Sequence, residues 1–274
     1  MAATQTVGHG GTPAFRVPIT ISTLDRATTP RARLGGVGHV PGTMRCSSCA
    51  MRKVCVPSDL DASELLRFED YMQGTRRVRA GQHLYRAGDN AAVMYVVRSG
   101  FIRTSMLTDG GREQVTGFHM LGELLGVDTI GGGVQAGDAV ALEDSDVCEL
   151  SLQSLQALSR EMPALQHKLY RIIGEQFQQE REATLLLGSM RAEDRLASFL
   201  LNLGRRYKAR GFSGARFLLR MSRAEIGSYL GLRLETVSRV FSRLQTEGLL
   251  RVDSRSVEIL DEAALKLVVG RSIN

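Results

Sequence analysis

The chain has 274 residues, 43% of them apolar, and 35 Lys+Arg against 29 Asp+Glu give a formal net charge of +6. That length suits two domains plus an extension, and four cysteines are too few for a disulfide-stapled secreted scaffold. No apolar run is long enough to span a bilayer and no continuous apolar h-region opens the chain, so a cytoplasmic protein without a membrane partner is expected.

Residues 1–43 are rich in Gly, Thr, Ala, Pro and Arg without a sustained period. They read as a flexible extension, with a transit peptide as the alternative because acids are scarce. Next comes Cys46-Ser-Ser-Cys49-Ala-Met-Arg-Lys-Val-Cys55, a C-x2-C-x5-C pattern. Short spacings let thiols converge on one site at little loop-closure cost. Zinc takes four N/S ligands and iron–sulfur clusters are commonly held by four thiolates. The local stretch offers three and no nearby His, so the spacing leaves zinc and iron–sulfur both open. A reversible disulfide or plain reduced thiols are the blander readings. Arg45, Arg52 and Lys53 flank the cysteines and are expected to favour thiolates.

From Asp59 to Tyr71 the spacing of Leu60, Leu65, Leu66 and Phe68 predicts a helix. From Val78 to about Leu152 short apolar runs such as Met94–Val97 and Val140–Leu142 alternate with glycine turns, which predicts a sandwich or barrel of the jelly-roll kind. The fourth cysteine, Cys148, falls in the last strand-like run and by itself reads as a buried core thiol. A short helix over Leu152–Leu158 precedes a long one from Pro163 to about Leu187. Leu165, Leu169, Ile172, Ile173, Gln176, Phe177, Glu180, Thr184 and Leu187 form a stripe in steps of three and four, a coiled-coil-like dimer seam. Packing on the chain's own barrel is the alternative. A parallel symmetric seam sets Glu180 against its twin, and such a pair repels.

A further helix, Ala192 to about Tyr207, is predicted to end in a basic loop, Arg205–Arg210. Ser222-Arg-Ala-Glu225 fits a capping box that opens a helix, Gly231 breaks it, and Leu234, Val237, Phe241 and Leu244 recur at helical spacing. Two short helices joined by a glycine turn read as a helix-turn-helix. Glu235, Ser238 and Arg239 share its exposed face, and these types suit base edges: Arg for guanine O6 and N7, Glu for cytosine N4, Ser for either. Arg233 stands where a Ser or Thr cap is usual. The run Gly248–Ile259 predicts two strands around a turn, a wing whose Arg251 and Arg255 suit phosphates. Residues 190–274 carry 16 Lys+Arg against 9 Asp+Glu and the rest 19 against 20, so the positive excess lies with the segment holding the helix-turn-helix, a pattern that suits the phosphates of double-stranded DNA as the expected partner.

Barrel, long helix and C-terminal winged helix-turn-helix, in that order, resemble the CRP/FNR superfamily of bacterial transcription regulators, and most closely its oxygen-sensing FNR-type branch. The carrying residues are Cys46, Cys49, Cys55 and Cys148, Gly117-Phe-His-Met-Leu-Gly-Glu123, Arg191-Ala-Glu-Asp-Arg-Leu-Ala197 and Gly231–Arg239. The resemblance implies an α+β chain divided into an extension (1–43), a cysteine segment with a cyclic-nucleotide-binding-like β-jelly-roll sensor barrel (44–160), a dimerisation helix (161–188) and a winged helix-turn-helix (189–274). It implies that Cys46, Cys49, Cys55 and Cys148 bind an oxygen-labile [4Fe-4S] cluster. The cluster-bearing form is then a homodimer, with a seam of Leu165, Leu169, Ile173, Phe177, Glu180 and Leu187, on TTGAT-N4-ATCAA-type palindromes that control anaerobic gene expression. Glu235, Ser238 and Arg239 match its base-reading positions, and Leu234 stands where the cyclic-AMP receptor branch carries a further base-reading Arg. A loop near Thr108–Glu113 is the implied RNA polymerase contact. Glu180 stands where the family often has a seam Asp, and Phe177 replaces a typical aliphatic residue.

Other readings of the same fold are weaker. A cyclic-nucleotide receptor needs an Arg for the cyclic phosphate, and Val134-Gln-Ala-Gly-Asp-Ala-Val140 has none, so no cyclic nucleotide is expected. A thiol/disulfide switch or a zinc-stabilised DNA binder shares the cysteines. An enzyme has little support, since His9, His39, His83, His119 and His167 form no local catalytic motif.

Overall fold

The structure, a computed structural model, describes residues 39–40, 45–131 and 133–270, without the side chains of 39, 40, 183, 185–187, 189 and 270. The expected extension 1–43 therefore lies outside the described residues, apart from a short strand β1 (His39–Val40). Three 3-10 turns, Cys46–Ser48, Arg52–Val54 and Val56–Asp59, lead into helix α1 (Ala62–Asp70). Asp61 Oδ1 accepts from the amides of Ser63 and Glu64, and Glu64 Oε2 accepts from Asp61 N–H, a complete capping box. Leu65 and Phe68 are buried. Leu66, expected beside them, is 54% exposed, because it lies off their i, i+3 face.

Strands β2 (Met72–Val78), β3 (His83–Tyr85), β4 (Val93–Ser99), β5 (Phe101–Leu107), β6 (Glu113–Met120), β7 (Leu124–Leu125), β8 (Asp138–Ala141) and β9 (Ser145–Ser151) build the barrel. They pair antiparallel in two sheets, ordered β1-β2-β9-β4-β7 and β3-β8-β5-β6. Val97, Ile102, Ala139, Ala141 and Val147 pack between the sheets, as alternating strands require when one face is covered.

Ser151 caps α2 (Leu152–Glu161), and Pro163 opens α3 (Pro163–Ser189). The first half of α3 lies on its own barrel. Leu165 is fully buried among Leu155, Leu158 and Met162, with Leu169 and Ile172 packed against them. Lys168 Nζ donates to Ser58 Oγ at 2.7 Å and Arg171 pairs with Asp59 at 2.9 Å. Gln176 Nε2 donates to Leu124 O at 3.0 Å. The expected seam is corrected accordingly: Leu165 belongs to the chain's own core and Gln176 to the barrel contact. The open part of the stripe is Ile173, Phe177 (61% exposed) and Glu180, with Tyr170 beside it. The side chain of Leu187 lies outside the described residues.

Helix α4 (Ala192–Ala209) runs through the stretch expected as a basic loop, so Arg205–Arg210 is its last turn and cap. Strand β10 (Arg216–Leu218) was not foreseen. It completes a sheet with β11 (Leu250–Asp253) and β12 (Ser256–Ile259), order β10-β12-β11, and α7 (Glu262–Gly270) follows. The helix-turn-helix is α5 (Arg223–Leu230) and α6 (Leu234–Thr246). Gly231 turns left-handed (φ 63°), and a Cβ on Gly227 would stand 2.6 Å from Leu232 O, so the turn needs glycine at both places. The barrel's Phe101, Val115, Phe118 and Met120 share one core with α4, α5 and α6. Within it the rings of Phe118, Phe199 and Tyr229 stand 5.4–6.0 Å apart.

Candidate metal centre and nucleic-acid interface

The three 3-10 turns wind the cysteine segment into a compact coil. Cys49 N–H donates to Cys46 O at 3.1 Å, Arg52 N–H to Cys49 O at 3.1 Å and Cys55 N–H to Arg52 O at 3.3 Å. Cys148 arrives from β9, opposite Thr75 of β2 and Val96 of β4. All four thiols are free and half-buried, and all four line one cavity of about 480 Å³ with Val56, Phe68, Met72 and Leu121 among its apolar walls.

At Cys46, Cys55 and Cys148 burial outweighs the charges expected to favour thiolates. Burial, reinforced by Cys148, pushes Cys46 and Cys55 up to about 12, and burial pushes Cys148 up to about 11. Arg52 lowers Cys46 least among the causes, and its guanidinium donates to Leu60 O at 3.0 Å. Metal binding to Cys46, Cys55 and Cys148 would therefore release protons.

Among the described residues no three Cys, His, Asp or Glu donors converge closely enough to hold a single ion. Four thiolates around zinc, at about 2.3 Å from the metal, nearly touch. A four-iron cluster is less demanding, because each iron takes its own cysteine. Four free thiols spread around one apolar-walled cavity fit that second case.

Glu235, Ser238 and Arg239 are exposed on α6, while Val237, Val240, Phe241 and Leu244 of the same helix are buried. Ser222 and Glu225 close the capping box of α5. Arg223 of α5 stacks over the Phe241 ring at 3.4 Å and fastens the two helices. Leu234, expected in the core, is 46% exposed at the start of α6, and Arg233 caps that helix without a side-chain bond. In the wing, Arg251 pairs with Glu258 at 2.8 Å, whereas Arg255 is exposed. The β5–β6 hairpin turns through Thr108–Arg112, with Thr108 N–H on Arg112 O at 2.9 Å and Leu107 73% exposed.

Sequence reading missed the group that joins these two regions. Arg206 Nε donates to Glu123 Oε1 at 2.9 Å and Arg210 Nη2 to the same oxygen at 2.7 Å; Arg206 Nη2 also reaches Glu123 Oε2. Burial raises Glu123, but Arg206 and Arg210 outweigh it and hold the carboxyl below the usual range. Glu123 lay in a motif already singled out, but nothing local marked its partners.

His119 sits beside this pair, its Nε2 3.1 Å from Thr104 Oγ1. Burial lowers it from 6.5 to about 4, with Glu123 opposing and Arg206 assisting. The unfolded chain thus takes up a proton below pH 6.5 that the folded chain refuses until about pH 4. Acidification across that window costs about 1.4 kcal/mol of stability per pH unit from this group. His119→Gln is expected to flatten that part of the pH–stability curve in denaturant titrations. A slope equal to the parent's would contradict it.

Two family models match the chain: a cyclic nucleotide-binding domain over residues 75–161 and a Crp-like helix-turn-helix domain over 194–268. The transcriptional regulatory protein btr of Bordetella pertussis is 42% identical over 84% of this chain and 96% of its own length. The fumarate and nitrate reduction regulatory protein of Escherichia coli K12 is 38% identical over 84% and 92%. Among solved structures, FixK2 from Bradyrhizobium japonicum covers 71% of this chain and 96% of its own, with TM-score 0.65 and 30% identity.

Proposed function

The chain belongs to the CRP/FNR family of transcription regulators, and from that premise we propose that it is an oxygen-responsive regulator of anaerobic gene expression. In this reading Cys46, Cys49, Cys55 and Cys148 hold a [4Fe-4S] cluster. The observation that carries it is the cavity, to which β9 brings Cys148 from far along the chain to meet the three clustered cysteines. When bound, such a cluster supplies an oxygen-labile centre whose loss is the signal. The likeness to a fumarate and nitrate reduction regulator supports the same branch.

The protein's own groups supply the rest. The 3-10 coil and β9 present the thiols. Directly after Cys55, Ser58 and Asp59 grip Lys168 and Arg171, so the cysteine segment and the seam helix move together. The exposed Ile173 and Phe177, with Glu180 one turn further on, form the homodimer seam in this reading, since apolar side chains at steps of three and four on an open helix face suit a coiled-coil contact. Two recognition helices then read TTGAT-N4-ATCAA-type palindromes through Glu235, Ser238 and Arg239, and the Thr108–Glu113 hairpin meets RNA polymerase. No cyclic nucleotide is needed: in the Val134–Val140 stretch the charged residue is Asp138, whose carboxylate accepts from Ala87 N–H at 2.8 Å and would repel a phosphate. The protein works in the cytoplasm. Its domains in this reading are 1–43, 44–160, 161–188 and 189–274.

The test of the switch is Glu180→Ala. Two facing carboxylates oppose the metal-free seam, so the variant is expected to dimerise without metal and to bind the palindrome in air. Sedimentation of metal-free protein checks it, and an unchanged monomer–dimer balance would count against the seam.

A further inference from the structure

We propose that Glu123, clamped by Arg206 and Arg210, is a positioning residue for DNA recognition: it fixes the angle at which the winged helix-turn-helix stands on the barrel. In the dimer, a part of the argument that rests on the reading above, that angle sets the separation of the two recognition helices and hence the half-site spacing read.

The carboxylate is built to be rigid. Met120 N–H donates to Glu123 Oε2 at 3.1 Å, Glu123 N–H to Met120 O at 3.0 Å and Val97 N–H to Glu123 O at 3.0 Å. Its partners come from the far end of α4, 83 and 87 positions along the chain. Arg210 and Arg206 also donate to Leu121 O and Phe118 O of the barrel. All three side chains are mostly buried, Glu123 21%, Arg206 16% and Arg210 10% exposed. The other ionic contacts to this region are longer or more open: Arg103–Glu225 at 3.5 Å, and Arg220–Glu143, in which Arg220 is 39% exposed. A buried charge that loses its partner is left uncompensated, so this ionic clamp adds a directional constraint to the non-directional contacts of the apolar core around Phe118. Specificity of geometry is the best-attested reason to keep such a group.

The experiment is Glu123→Gln in the full chain, compared with the parent for iron content, mass, thermal unfolding and affinity for palindromes with the native spacer and with one base pair more or fewer. The expected result is unchanged iron and dimer. Affinity for the native spacer should fall about tenfold, as when one good base contact is lost, and preference over the altered spacers should fall with it. A folded variant that keeps the spacer preference overturns the proposal. If the parent carries no iron, the spacer comparison on whatever dimer it forms still decides this joint, so the two readings fail separately. Should Glu123→Gln not fold, Arg210→Gln keeps the Glu123–Arg206 pair. It is expected to lose the preference in the same direction by a smaller factor, and full retention of the preference there would also overturn the proposal.

Discussion

Replacing Cys148 with serine is expected to leave a folded chain that no longer incorporates iron or sulfide and that binds the palindrome at least about tenfold more weakly without air, at the level of the parent after air exposure. The side chain is half-buried on β9 between β2 and β4, and serine keeps the volume, so the sheet survives. What is lost is a soft ligand: thiolates suit iron–sulfur centres and a serine hydroxyl does not. The three remaining cysteines fall in one ten-residue coil and cannot supply a fourth position themselves. Iron and sulfide analysis of the anaerobically purified variant checks the expectation. Parental iron content would remove Cys148 from the ligand set and return it to the barrel core.

Arg239→Ala is expected to lower affinity for the palindrome by roughly ten- to a hundredfold, the loss of a bidentate guanine contact worth about 1–3 kcal/mol. Binding to unrelated DNA should change little, and discrimination should relax only at the base pair that Arg239 reads. The side chain is exposed early in α6 and no described residue forms an ion pair with it. Arg255→Ala at the wing should instead weaken all sequences alike and reduce the salt dependence. Arg251 is a poorer candidate for that role, because Glu258 already engages it. Fluorescence titrations with matched and mismatched duplexes separate the two patterns. An Arg239→Ala loss that is uniform across sequences would demote this residue to a phosphate contact.

The parts of the fold that were legible are those written in local chemistry. Ser222, Glu225 and Gly231 announce the helix-turn-helix because caps and left-handed turns require those residue types. Alternation and glycine turns announce the barrel. Elements shaped by tertiary context were not legible. Strand β10 is three residues long and exists because β12 pairs with it. Leu165 shares its period with Phe177, yet only the first turns of α3 are covered, by Leu155, Leu158 and Met162, and Phe177, further along the same helix, is left exposed. At Cys46 the neighbouring Arg52 does favour the thiolate, but burial outweighs it, and burial is not legible from adjacent charges in a sequence. Cys148 joined the site through family likeness, and Glu123 found its arginines only in three dimensions.

The central claim is that the four cysteines hold an oxygen-labile cluster. Its most direct test is iron and acid-labile sulfide analysis of anaerobically purified protein, with a visible spectrum recorded before and after air. The account predicts roughly four irons and four sulfides per chain, bleaching in air together with loss of the dimer and of palindrome binding. Stoichiometric zinc, or no metal and a disulfide that forms in air, would contradict it while leaving the DNA-reading face of α6 in place.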